Sequence, residues 1–450
     1  MARTLIRGGI VYTVDPELGD LPCGDVLLED DIIAAVGVDL PVGDARIVDA
    51  TNKIVLPGLV DTHRHLWQAA VRQLAADWTL GQYFEHMLVE LGPRFAPEDV
   101  YVGALLGSIE ALDSGITTIM DWAHIMRSPD HADEGVRGLR EAGIRAVFGY
   151  GNPLAPQPDW YRSDVVRVAD RYFSAKDGLL TFAVAGLGPE FGSVEEAVSD
   201  IELGRELDVP VSMHVGVGLL GAPRSVTELH RRGLLGPDLI YIHCNTCTDE
   251  ELRMIADSGG HVAISPRIEM QMGHGYPATG RLRAAGVEPS LSVDIVSGVG
   301  GSLFAEMRGT LEAERGWQNH LALQRGETLA ELTIKAKDVV RMATIEGART
   351  LGLDDRIGSL TPGKQADLIL LDVDLPNVSL VNNLAAAVTH ADSHNVDTVF
   401  VAGQPVKVAG KILSHDLRSA QRLARESRDR LLRGWAGPGY AERLFPVAAR

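Results

Sequence analysis

The chain has 450 residues, 61 acidic against 42 basic, for a formal net charge of -19 at pH 7. That excess repels polyanions and no Lys/Arg-rich block relieves it, so no nucleic acid and no anionic membrane is expected as a partner. A sizeable core is within reach of this length, and no stretch approaches the roughly 18 apolar residues of a membrane span. The opening residues lack an apolar core of signal-peptide length. Cys23, Cys244 and Cys247 are too few for a disulfide framework. These features predict a globular, cytoplasmic protein.

In chain order, short β-prone runs separated by turns come first: Leu5 to Val11, Val26 to Leu28, Ile32 to Val36 and Ala45 to Val48. They predict a small antiparallel sheet. Eight buried-type strands then alternate with helical patterns: Ile54 to Asp61, Thr117 to Asp121, Arg145 to Gly149, Leu180 to Leu187, Val211 to Val215, Leu239 to His243, His261 to Ser265 and Pro289 to Asp294. This alternation predicts an α/β fold, a (β/α)8 TIM-like barrel with its active site at the strand C-terminal ends. Pro97 to Ser114, Val194 to Leu207 and Asp249 to Ser258 carry the helical spacing of an outer coat. Beyond about residue 357 the β-rich texture returns, with Leu368 to Asp372 and Val396 to Val401. The two β-rich ends are therefore expected to form one discontinuous domain from residues 1–57 and 357–415, around a barrel of residues 58–356. Residues 416–450 form a C-terminal helical tail, in which 416–434 read as a charged amphipathic helix with a solvated or subunit-facing surface.

Four of the barrel runs end in metal-type residues. His63 and His65 in Asp61-Thr62-His63-Arg64-His65 alternate along one strand and so point to one side. His214, His243 and Asp294 end later strands. Imidazoles and a carboxylate converging at one barrel mouth predict a metal site. Cys244 and Cys247 have no second cysteine pair to complete a zinc knuckle and are expected to be small buried thiols.

These motifs, followed by Gly358-Ser359-Leu360-Thr361-Pro362-Gly363-Lys364-Gln365-Ala366-Asp367, resemble the amidohydrolase superfamily over nearly the whole chain. Within it they resemble the mononuclear branch of cytosine, guanine and 8-oxoguanine deaminases and triazine hydrolases. The resemblance implies that the β-rich ends build a composite β-sandwich. It also implies that His63, His65, His214 and Asp294 bind one divalent metal, while His243 contacts the water or substrate. Such ligands suit Zn(II) first and Fe(II) second, and activate a water for attack on an electron-poor carbon, with Asp294 as base. Two-metal relatives carry a carboxylated lysine at the end of strand four; here that strand ends Leu187-Gly188-Pro189-Glu190 and Lys176 precedes it.

One position departs from the pattern. Ring deaminases of this branch usually carry a glutamate three residues after the strand-five histidine, where this chain has Val217. A valine donates no proton, so another acid must supply one or the reaction must not need it. Glu190 is the first substitute, His124 the second and Glu269 a third. Trp67 and Gln68 are expected to stack on and hydrogen-bond a flat ring, with Trp122, Tyr83 and His274 as further pocket contacts. The expected activity is a metal-dependent hydrolase that cleaves a C–N bond of a nitrogen-containing ring in a small-molecule substrate, in the manner of a deaminase. Alternatives are cyclic amide opening or displacement from a triazine-like ring, and a non-catalytic protein with a retained metal site. By resemblance the barrel forms a homo-oligomer, commonly a dimer.

Overall fold

The computed structural model describes residues 2–152, 156–221, 224–413 and 415–438. Eight parallel strands follow one another in sequence order around a barrel: Leu59–Arg64, Ile116–Ala123, Arg145–Tyr150, Leu180–Gly186, Val211–Val215, Leu239–His243, His261–Ile264 and Ser290–Leu291. Helices such as Pro97–Asp113, Val194–Leu207 and Asp249–Ser258 coat it, as their apolar periodicity predicts. The strands read as near-continuous apolar runs because they are covered on both faces. Val60, Met120, Trp122, Val147, Ala183, Ala185, Ile240, Ile242 and Ala263 fill the interior.

Two expected strands differ. The run Ile54 to Asp61 is two strands: Lys53–Pro57 joins the other sheet, and Leu59–Arg64 begins the barrel. Gly58 sits at the changeover, where an added Cβ would lie 2.1 Å from Thr117 Oγ1, so only glycine allows the two sheets this close. The eighth strand is shorter than Pro289 to Asp294: the Val293 N–H goes to the Asp61 carboxylate at 3.1 Å instead of to a strand, and the chain then bends at Asp294, whose φ is 68°. The barrel closes at that bend. The Asp294 N–H donates to the His63 carbonyl and the His65 N–H donates to the Asp294 carbonyl, both at 2.9 Å.

The chain ends combine in a nine-stranded sheet. It is mixed, not antiparallel throughout, because Arg46–Asp49 and Lys53–Pro57 both run parallel to Arg3–Val11. Leu368–Asp372 lies antiparallel beside Lys53–Pro57, which brings the C-terminal segment into a sheet begun by the N-terminus. A buried ion pair bolts this sheet to the barrel: Arg145 Nε and Nη2 donate to the two Asp367 oxygens at 2.8 and 2.9 Å. Asp367 also accepts the Ala402 N–H at 2.7 Å. The tail helix Leu417–Leu431 is amphipathic, with Arg422 and Glu426 paired on its exposed face. One face packs on Pro97–Asp113, and Ser427 donates to Asp99 at 2.6 Å. Residues 439–450 of the expected tail lie outside the described residues.

Removing one partner of a buried, hydrogen-bonded pair leaves the other charge uncompensated, at a cost of about 3–5 kcal/mol. Asp367→Ala should therefore lower the thermal unfolding midpoint by several degrees, whereas Arg145→Met combined with Asp367→Leu should recover most of the loss. A single variant melting with the wild type would show that the pair does not join the two sheets energetically.

Candidate active site

Every proposed ligand comes from the carboxyl end of a barrel strand, and so does His243 beside them. His63 and His65 come from the first, His214 from the fifth, His243 from the sixth and Asp294 from just past the eighth. His243 and Asp294 have φ of 80° and 68°, values that cost a non-glycine residue on the order of 1–3 kcal/mol and that collect at functional sites. The turn after His214 is equally tight. An added Cβ at Gly216 (φ 67°) would lie 2.7 Å from Cys247 Sγ, so the two buried, free cysteines pack directly beneath it.

The ligand atoms converge. One nitrogen each of His63, His65 and His214 lie within 4.8 Å of one another, and so do atoms of His63, His243 and Asp294. Asp294 Oδ1 is 3.3 Å from His65 Nε2 and 3.5 Å from His63 Nε2, and Oδ2 is 3.6 Å from His243 Nε2. Hydrogen bonds fix two tautomers. His65 Nδ1 donates to the Trp122 carbonyl at 2.7 Å, leaving Nε2 as a lone-pair donor. His243 Nδ1 bonds Glu269 Oε1 at 3.1 Å, which turns Nε2 towards Asp294. Neither nitrogen of fully buried His63 has a hydrogen-bond partner. An unsatisfied buried polar group costs about 1–3 kcal/mol, and a divalent ion among these donors would satisfy it. The chemistry of the set, neutral imidazoles with one carboxylate, fits such an ion.

The local electrostatics agree with that protonation. Burial pushes His63 down to about 3 and, with His63 beside it, holds His214 well below the ordinary imidazole value. Burial would raise Asp294, but the flanking His63 and His65 outweigh it and hold the carboxyl well below its usual range. Burial would lower His243, but the Glu269 hydrogen bond and the Asp294 charge raise it instead. Glu269 is fully enclosed, accepting also from the Ser265 N–H at 2.7 Å and the Asn245 side chain at 3.0 Å. It orients His243, a role that its distance of 26 residues along the chain conceals. Asp61, raised to about 6 by burial, accepts the Val293 N–H at 3.1 Å and so ties the first strand to the last beneath the ligands.

Above the cluster opens a cavity of about 360 Å³. Leu80, Phe84, Leu88, Phe191 and Met272 make its walls apolar, and Trp122, His124, Glu190 and His274 also line it. Much of one wall is the π-helix Tyr83–Leu91, a rare winding that is frequent at functional sites. Its apolar residues carry no motif, and the sequence pointed only to Tyr83 among them. Trp67 and Gln68 do not line the cavity, against expectation. Trp67 is buried behind the wall, 5.4 Å from the His124 ring. Gln68 donates to the Tyr83 hydroxyl at 2.6 Å and accepts from Ser297 at 2.5 Å, so its amide is spent on the protein. Glu190 faces the cavity with its carboxylate engaged by the N–H groups of Gly216 and Val217 and by Ser225, at 2.7, 3.2 and 3.0 Å. Lys176 pairs with exposed Asp208, away from the cluster.

A parallel barrel with histidines and an aspartate gathered at its strand ends defines the architecture of a metal-dependent hydrolase. Residues 54–406 match the amidohydrolase family, and the chain belongs to that family as an enzyme acting on C–N bonds. It is 30% identical to a 5-methylthioadenosine/S-adenosylhomocysteine deaminase of Symbiobacterium thermophilum, over 87% of this chain and 90% of that one. It is 27% identical to a 5'-deoxyadenosine deaminase of Methanosarcina mazei, over 93% and 94%. A zinc-bound adenosine deaminase from Xanthomonas campestris superposes with a TM-score of 0.85 at 24% identity, covering 96% of this chain and 98% of that one. A zinc complex of atrazine chlorohydrolase from Arthrobacter aurescens gives 0.83 at 24%, over 94% and 100%.

His63→Ala should reduce bound metal from about one equivalent to a small fraction and abolish turnover while far-UV circular dichroism is unchanged, because a ligand is lost but no strand. His243→Asn should keep most of the metal and lose about 100-fold or more in kcat, the scale for an acid-base or electrostatic group. Loss of metal from His243→Asn would move that residue among the ligands.

Proposed function

We propose that the protein is a mononuclear zinc aminohydrolase that removes an exocyclic amine from a nitrogen heterocycle, releasing ammonia. The observation that carries this reading is the enclosed His63, His65, His214, His243 and Asp294 cluster at the floor of a largely apolar cavity. The names of the curated relatives, deaminases of adenine-ring nucleosides, support a purine-like ring. His63, His65, His214 and Asp294 would hold the ion. When bound, it supplies Lewis acidity and a water of lowered pKa.

The chain's own groups do the rest. Asp294 is the proton acceptor, with Oδ2 turned towards His243 Nε2. The same carboxyl can return the proton to the departing amine. His243, held by Glu269, offers Nε2 to the oxygen that forms at the attacked carbon. The aromatic and aliphatic walls exclude bulk water, which strengthens these interactions. Glu190 acts here as an anchor for the turn that carries Val217, since both its oxygens already accept hydrogen bonds.

The zinc-loaded enzyme should release ammonia from at least one amino-substituted purine or pyrimidine, its nucleoside or an aminotriazine, and chelation should abolish the release until zinc is restored. Turnover with another leaving group, or ring opening without ammonia, would replace deamination by displacement or cyclic amide hydrolysis.

A further inference from the structure

The reaction proposed above leaves one position unfilled. Attack at a ring carbon pushes electron density onto the neighbouring ring nitrogen, and a donor aimed at that nitrogen stabilises the developing charge. Val217 cannot supply one, and Glu190 is committed to the backbone beneath it.

His274 stands beside that gap. The helix Pro266–Met272 ends in Gly273, whose φ of 83° turns the chain so that the next residue faces the barrel mouth. The backbone of His274 is pinned on both sides. Its N–H donates to the Glu269 carbonyl at 3.1 Å, and its carbonyl accepts the Gly218 N–H at 2.7 Å. The second bond joins the His274 turn to the residue directly after Val217, so both belong to one stretch of wall. The imidazole lines the cavity with its ring centroid 4.7 Å from that of His243, is 4% exposed, and has no hydrogen-bond partner at either nitrogen. Such an orphaned polar side chain, beside an apolar cavity that must accept a polar ring edge, is accounted for by a ligand partner. His124, which also lines the cavity, lies on the His65 side, 4.2 Å from that ring, with Nδ1 hydrogen-bonded to the Trp122 carbonyl at 3.4 Å.

We propose that His274 is the substrate-contacting residue that donates a hydrogen bond to the ring nitrogen next to the attacked carbon, in place of an acid at position 217. An imidazole carries an N–H in either protonation state, so the contact does not require His274 to be charged. The substrate is then a ring with an unsubstituted nitrogen beside the carbon that bears the leaving amine.

The test compares His274→Phe, which keeps a flat ring without nitrogen, with His274→Gln, which keeps an N–H donor. Both are loaded with zinc and checked for equal metal content. His274→Phe should lose about 100-fold or more in kcat on an amino-substituted ring that the wild type turns over, and His274→Gln should stay within about 10-fold. Binding of the same ring, measured by calorimetry, should weaken at least about 10-fold in His274→Phe and little in His274→Gln. Equal kcat and affinity for His274→Phe and wild type, or equal losses in both variants, would overturn the assignment. A wild type that binds the ring but releases no ammonia would count against the deaminase reading alone, because the affinity comparison still decides the role of His274. A wild type that neither binds nor turns over such rings overturns both.

Discussion

The seam between the first and last barrel strands is the constraint on which the site depends. The two hydrogen bonds that close the barrel run through the backbones of His63, His65 and Asp294, three of the residues whose side chains meet above them. Closing the fold and assembling the ligand cluster are thus one event. Asp61 reinforces the seam from below by accepting the Val293 N–H, and Thr62 Oγ1 adds a bond to the Leu291 carbonyl at 3.0 Å. Burying an aspartate there is costly unless its oxygens are satisfied. Two backbone donors and the Arg64 guanidinium, 3.4 Å away, meet that need.

Around this seam the cluster is held by an outer set of contacts that fix ring orientation before any ligand arrives. Trp122 contributes its carbonyl to His65 and its indole N–H to Ser212 at 3.0 Å, so one residue of the second strand positions both a ligand and the barrel interior. Glu269 does the same for His243 from the helix after strand seven. Preorganisation of this kind removes the reorganisation that a flexible site must complete during the reaction. The left-handed backbone at His243 and Asp294 belongs to the same arrangement, since each bend carries a strand-end side chain over the mouth rather than onward into a helix.

The cavity above the floor follows a different logic. Its walls come from segments remote in sequence, the π-helix Tyr83–Leu91, the Gly188–Phe191 turn and the helix Pro266–Met272. The tail also reaches this wall from behind. Trp435 donates to Glu90 at 2.8 Å, and Arg94 donates to the Leu431 carbonyl at 2.9 Å, so the last described helix braces the element that lines the cavity. The walls are mostly apolar, whereas the floor gathers the histidines and the aspartate.

Sequence alone pointed to the barrel and to the histidines and aspartate at its strand ends and, through the family resemblance, to the departure at Val217, because each is written locally. Apolar runs of strand length end in His or Asp, alternation in His63-Arg64-His65 sends two rings to one side, and a missing glutamate is visible in four residues. It could not separate Lys53–Pro57 from Leu59–Arg64, because both are apolar and continuous and only the close approach of Thr117 to Gly58 divides them. Nor could it tell that Trp67 and Gln68 face inward while Phe84, Leu88 and Phe191 face the cavity, since a helix or loop turns its side chains according to what packs behind it. The pairing of Glu269 with His243 and the approach of His274 to the Val217 turn were decided by tertiary structure. Those contacts join chain segments 26 and 56 residues apart, which the pairing of the fifth, sixth and seventh strands brings within hydrogen-bonding distance.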